Sequence, residues 1–196
     1  MAAMPTSYQE KRRELAYALM GAGVISAEGP PVLLQVNLGV PPLTETLAVS
    51  TAHCIQHFIA LNGLEFDAIA CIPPSKPFAD VLARLIGKND RKCIYLEKHL
   101  GTGSLQFAPL KNKIAEGVRK VLLVSGCTTV ADTEREAIAF LEANGIGVSD
   151  AVVLVDFDPG IAEELGELNC TLHSIFPADE LREAYETRYS DYSLPA

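Results

Sequence analysis

An α/β fold, a doubly wound parallel sheet flanked by helices, is what this sequence predicts, and three observations carry that reading. Short apolar runs at residues 66–72, 92–97, 120–124, 151–157 and 170–175 alternate with longer segments of helical spacing. The run Val121-Leu122-Leu123-Val124 is apolar without alternation, as in a strand buried on both faces. Glycines and prolines punctuate the boundaries, among them Gly21, Gly63, Pro73, Pro74 and Gly145. Strand–helix alternation at this spacing calls for parallel pairing with right-handed crossovers.

In chain order, residues 7–20 place Tyr8, Leu15, Leu19 and Met20 near one helix face, with a stop at Gly21-Ala22-Gly23. Pro30-Pro31 opens an apolar strand at 32–38, and Pro41-Pro42 closes it. Thr44 caps a long helix running to about residue 62, and Gly63 ends it. The strand at 66–72 leads into Pro73-Pro74-Ser75-Lys76-Pro77 and a helix at 78–86. The strand at 92–97 precedes a Gly-rich loop at 99–104, and 105–112 fits either an edge strand or a loop. After the strand at 121–124, residues 125–131 read as a small polar turn. Asp132 or Thr133 can cap the following helix, with Ala137, Ile138, Phe140 and Leu141 at helical spacing. A strand at 151–157, a short helix at 161–168, a strand at 170–175 and a helix at 178–188 complete one domain spanning 1–196.

Composition narrows the function classes. Sixteen Lys and Arg against 25 Asp and Glu give a net charge of −9, which argues against a nucleic-acid partner bound through a basic face. No apolar run approaches the ~20 residues of a membrane span, and residues 1–13 lack the apolar core of a secretory signal. The expected location is the cytoplasm, with no membrane partner. The five cysteines, at 54, 71, 93, 127 and 170, are unevenly spaced without a C-x-x-C, so neither a disulfide framework nor a zinc site is expected.

Chemistry points to the corner after Val124. A strand, a small-residue loop and a helix start offer backbone N–H groups and the positive end of a helix dipole, which suits an anion such as phosphate. The same form also serves as an ordinary crossover corner. Asp132 in that corner reads either as a self-capping residue or as part of a ligand cradle. Cys127 is a core residue, or a thiol activated by the helix dipole. His53 and His57 lie one helical turn apart, close enough to share a metal, but no carboxylate is local, and no metal site is assigned. Asp156, Asp158, Glu163, Glu164 and Glu167 form an acidic run that reads as a solvated helix face or a divalent-metal patch.

Taken in order, Val36-Asn37-Leu38-Gly39, residues 66–70 (F-D-A-I-A), 93–98 (C-I-Y-L-E-K), 121–124 (V-L-L-V) and 133–138 (T-E-R-E-A-I) resemble the type I phosphoribosyltransferases, most closely the orotate phosphoribosyltransferases. The resemblance implies a parallel-sheet core under a small hood built from the N-terminal segment, and a homodimer to which the helix carrying His53 and His57 contributes. It also implies a reaction joining orotate to phosphoribosyl pyrophosphate with magnesium. Carried over by position, Thr128, Thr129 and Thr133 would hold a 5′-phosphate, while Lys76 and Lys98 would face the pyrophosphate. Lys98 and His99 are what remains of a basic catalytic loop.

Several positions depart from that pattern. The two adjacent acids that hold the ribose hydroxyls in the family correspond to Ser125 and Gly126, and neither supplies negative charge to an oxocarbenium-like centre. Glu97 stands where a basic residue is usual, and the loop after it is short for a lid. Three prolines around Lys76 remove backbone donors. Phe157 occupies the place of the arginine that pairs with the orotate carboxylate. The expectation is an orotate-phosphoribosyltransferase-like protein that has lost phosphoribosyl transfer. It would act as a nucleotide- or phosphate-binding, regulatory or assembly protein, with Lys76, Ser125, Gly126, Thr128, Thr129 and Thr133 as the ligand-facing set. The alternative is a divergent, magnesium-dependent phosphoribosyltransferase acting on another base.

Overall fold

Five strands form one parallel sheet at the centre of the structure, a computed structural model that describes residues 6–28, 33–38, 43–87, 93–100, 105–107, 117–128 and 131–189. Their order is β4 (Cys93–Tyr95), β3 (Ala68–Cys71), β7 (Lys120–Thr128), β8 (Gly147–Asp156) and β9 (Thr171–Pro177). All four pairings are parallel. The chain steps from β3 outward to β4, then returns past β3 to β7 and continues to β9. The direction therefore reverses between β3 and β7, a topological switch point where a crevice opens beyond the C-terminal strand ends.

Both faces of the sheet are covered, as the unbroken apolar runs require. Side chains alternate across a strand, so Leu122 and Val124 enter one cluster while Val121 and Leu123 enter the other. The first cluster packs against α1 (Thr6–Gly21), α2 (Glu45–Asn62), α3 (Lys76–Ile86) and α6 (Ala178–Tyr189). The second packs against α4 (Asp132–Ala143) and α5 (Gly160–Gly166). Leu122 and Leu123 are both 0% exposed, so neither face is a solvent face.

Local chemistry sets the ends of α2 as expected. Thr44 Oγ1 accepts from the Leu47 amide at 3.3 Å. Gly63 takes φ 62°, the left-handed region open to glycine, and its N–H returns to the Ile59 carbonyl.

Three features go beyond the local reading. The N-terminal segment forms a hairpin: β1 (Ile25–Glu28) pairs antiparallel with β2 (Leu33–Val36), from Ile25 opposite Val36 to Glu28 opposite Leu33. The stretch after β4 is partly strand, since β5 (Lys98–Leu100) pairs antiparallel with β6 (Leu105–Phe107). Most consequential, β7 does not stop at Val124. Ser125, Cys127 and Thr128 continue the ladder opposite Val153, Val155 and Asp156 of β8. Small polar residues favour a turn when read locally, but the long β8 alongside supplies ladder partners for these three further residues.

Candidate functional site

The switch point brings together three pieces of chain: the end of β3 with its loop, the end of β7, and the first turn of α4. Between them lies a cavity of about 180 Å³ lined by Ile72, Pro73, Pro74, Ser125, Gly126, Cys127, Thr128, Thr133 and Glu134. The peptide bond between Pro73 and Pro74 is cis.

Four of the residues picked from sequence therefore meet here: Ser125, Gly126, Thr128 and Thr133. Ser125 and Thr128 are buried, at 4% and 1% exposure, and Thr133 is half-buried. Thr129 lies outside the described residues, and so do the side chains of Lys98 and His99, whose backbone belongs to β5. Lys76 does not line the cavity. It is exposed at the first position of α3, with its ammonium 4.6 Å from the centre of the Tyr95 ring, a cation–π contact. The Tyr95 hydroxyl in turn donates to Asp80 Oδ1.

Glu134 is the main residue that sequence reasoning passed over. It is 3% exposed, and its Oε1 accepts a hydrogen bond from Ser125 Oγ at 2.9 Å. The expected absence of negative charge at Ser125 and Gly126 is therefore only local, because α4 returns a carboxylate to the same corner. No sequence spacing pointed to this pair, since it depends on β7 running on to Thr128 and on how α4 turns back across the strand end.

Leu38 is the second. It follows β2, is 5% exposed, and covers Gly126 so closely that a β-carbon built on Gly126 would fall onto Leu38 Cδ1. The space a side chain at position 126 would need is filled from the N-terminal segment. Ser75 Oγ lies 3.6 Å from that same β-carbon position. Ser75 is 0% exposed, and its hydroxyl has no hydrogen-bond partner among the described residues.

The remaining expectations resolve simply. Ala131 already has helical geometry, φ −71° and ψ −10°, and makes no side-chain capping bond, so Asp132 is the first helical residue rather than a cap. Its carboxylate lies in the first turn of α4, where negative charge complements the helix dipole. Burial, and secondarily the Glu134 charge, raise the pKa of Cys127 above the ordinary thiol value, the reverse of dipole activation. His57 packs edge-on to Tyr8 with ring centres 5.4 Å apart, while His53 is exposed. Among the described residues, no group of three or more His, Cys, Asp or Glu could hold a metal ion.

In the acidic run, Asp156 Oδ1 accepts from the Asp158 amide at 3.2 Å and Asp158 Oδ1 from the Gly160 amide at 2.9 Å. Glu163, Glu164 and Glu167 are exposed, and Glu164 meets Arg135 at 3.4 Å. It is a turn followed by a solvated face. Phe157 is half-buried against the core, and its amide donates to the Thr128 carbonyl at 3.1 Å. Among the described residues, no helix is long and apolar enough to cross a membrane.

No protein-family model matches the chain. The orotate phosphoribosyltransferase of Methanopyrus kandleri is 36% identical over 142 residues, which are 72% of this chain and 70% of that protein. Among solved structures, Leishmania donovani UMP synthase superposes with a TM-score of 0.70 at 20% identity, over 91% of this chain and 39% of that longer one. Mycobacterium tuberculosis orotate phosphoribosyltransferase in complex with inorganic phosphate superposes at 0.65 with 16% identity, covering 91% of this chain and 92% of that one. The orotate phosphoribosyltransferase of Aeropyrum pernix gives 0.63 at 20% identity, over 87% and 98% of the two chains.

Proposed function

The chain belongs to the orotate phosphoribosyltransferase family, and we propose that within it this protein has lost phosphoribosyl transfer. It acts instead as a nucleotide- or phosphate-binding, regulatory or assembly protein of the cytoplasm. The observation that carries this reading is Leu38 seated over Gly126, where the resemblance calls for an acid beside the reacting ribose. An apolar side chain in that place excludes both the acid and the water-shielded charge that would stabilise an oxocarbenium-like centre. Other features support the same reading. The cavity of about 180 Å³ is smaller than the ~300 Å³ typical of the smallest ligand pockets. Lys76 is engaged with Tyr95, and Phe157 offers no charge to a carboxylate.

The corner does not fit a resident magnesium. Magnesium takes near-octahedral oxygen coordination, and among the described residues the cavity lining contains one carboxylate, Glu134. No step is assigned to a metal held by the protein alone. The assay that tests the reading combines the purified protein with orotate, phosphoribosyl pyrophosphate and magnesium. Orotidine monophosphate should not form above background, and robust turnover would sink the proposal.

A second reading is favoured by Glu134. A buried carboxylate 2.9 Å from Ser125 returns negative charge to the corner, as a divergent transferase acting on another base would need. Thr128 and Thr133 would then face the 5′-phosphate, and magnesium would arrive with the pyrophosphate. In that case turnover with another base would accompany magnesium-dependent binding of phosphoribosyl pyrophosphate. Under either reading we propose a homodimer through the α1–α2 face. A groove there is lined by Lys11, Glu14, His53, Gln56 and His57 among others.

A further inference from the structure

Leu38, Gly126 and Ser75 meet at the switch point in an arrangement that the family membership does not explain. Gly126 sits in a buried strand with no side chain of its own, and Leu38 lies over it. Within 3.6 Å of the position a Gly126 β-carbon would take lies the Ser75 hydroxyl, fully buried and without a hydrogen-bond partner among the described residues. A buried hydroxyl without a partner is costly wherever it occurs, and folded proteins rarely leave one in place. Ser75 precedes α3, and its hydroxyl makes no capping bond to the helix, so it does not serve the helix start either. The amide of Ser75 is already committed to the Ile72 carbonyl at 3.0 Å. What remains is a buried hydroxyl that shares the space beside the Gly126 backbone with the end of the Leu38 side chain.

We propose that Leu38 is a removable plug over a latent polar subsite formed by Ser75 Oγ and the Gly126 backbone. A small polar ligand displaces Leu38 and places an oxygen against Ser75. The subsite adjoins the cavity already described, through Gly126, which borders both. The proposal rests on the reading that this corner holds a phosphorylated sugar or nucleotide, and it names what controls access. Two chemistries would satisfy Ser75, a sugar hydroxyl or a phosphoryl oxygen. The plug imposes a population penalty: apparent affinity falls by the fraction of molecules in which the subsite is open.

The test is calorimetric titration of the full chain with ribose 5-phosphate and, separately, with inorganic phosphate. Leu38→Ala should bind ribose 5-phosphate about tenfold more tightly than the unaltered protein, as the penalty is removed. A gain with both probes assigns the subsite to the phosphoryl group. A gain with the sugar phosphate alone assigns it to a hydroxyl. Adding Ser75→Ala to Leu38→Ala should abolish the gain. Ser75→Ala alone should raise the unfolding midpoint, because it deletes the orphaned hydroxyl. If Leu38→Ala does not fold, Leu38→Val should give a smaller gain in the same direction. Binding by the unaltered protein that is equal or tighter than in both Leu38 variants overturns the plug and leaves the functional reading standing. Silence from every protein with both probes removes the functional reading, and the plug with it.

Discussion

Ser125 and Glu134 show how one residue's role changes with its surroundings. By position Ser125 marks a lost acid, yet its hydroxyl donates to a buried carboxylate from the next helix. Buried charge is tolerated only where donors reach it. Ser125→Ala removes one of those donors without adding bulk, and should cost about 1–3 kcal/mol of stability, read from urea denaturation. An unchanged midpoint would mean the carboxylate is held well enough by its other partners. For Cys127, burial and then the neighbouring Glu134 charge raise the thiol pKa above its ordinary value.

At the scale of elements, the lower edges of β7, β8 and β9 are tied together by Asp150. Its Oδ1 meets His173 Nε2 at 3.0 Å, its Oδ2 accepts from Ser149 Oγ at 2.6 Å, and Lys120 Nζ stands 3.6 Å away. Burial pushes the Asp150 pKa up, but the hydrogen bonds from Ser149 and His173, with the charges of His173 and Lys120, outweigh it. The net pKa lies below the ordinary 3.8. A depressed carboxylate pKa contributes stability that is present above the unfolded value and lost as pH falls through the folded one. The stabilisation should therefore be complete at neutral pH and disappear below about pH 4. Asp150→Asn should lower the urea midpoint at pH 7, and the gap to the unaltered protein should narrow at pH 3. A gap of constant size would show that packing, not ionisation, accounts for the loss. The ends of α2 were legible at this scale because their causes are local: a hydroxyl three residues from the amide it caps, and a glycine in the left-handed region. The true end of β7 was not, because its partner is the separate strand β8.

Across the whole molecule, a doubly covered sheet makes a definite energetic claim. Leu122 and Leu123 are adjacent in sequence and face opposite cores, each fully buried. Leu122→Ala and Leu123→Ala should each destabilise by about 2–5 kcal/mol, measured by denaturant titration. A negligible effect for either one would mean that its face of the sheet is not a packed core. The same architecture explains where the site lies. Reversal of strand order between β3 and β7 opens a crevice at their C-terminal ends, and the cavity lies at those strand ends.

From the residues alone came the α/β alternation, the both-face burial of Val121 to Val124 and the caps of α2. Each rests on periodicity or on contacts within a few residues, which sequence order preserves. Tertiary structure decided the rest. It carried β7 through Ser125 and Gly126 into the sheet, brought Glu134 back to Ser125, turned Lys76 onto Tyr95, and laid Leu38 over Gly126. Leu38 and Gly126 are 88 positions apart in the chain. Contacts at such separation follow from how whole elements pack, and no local spacing of residues encodes them.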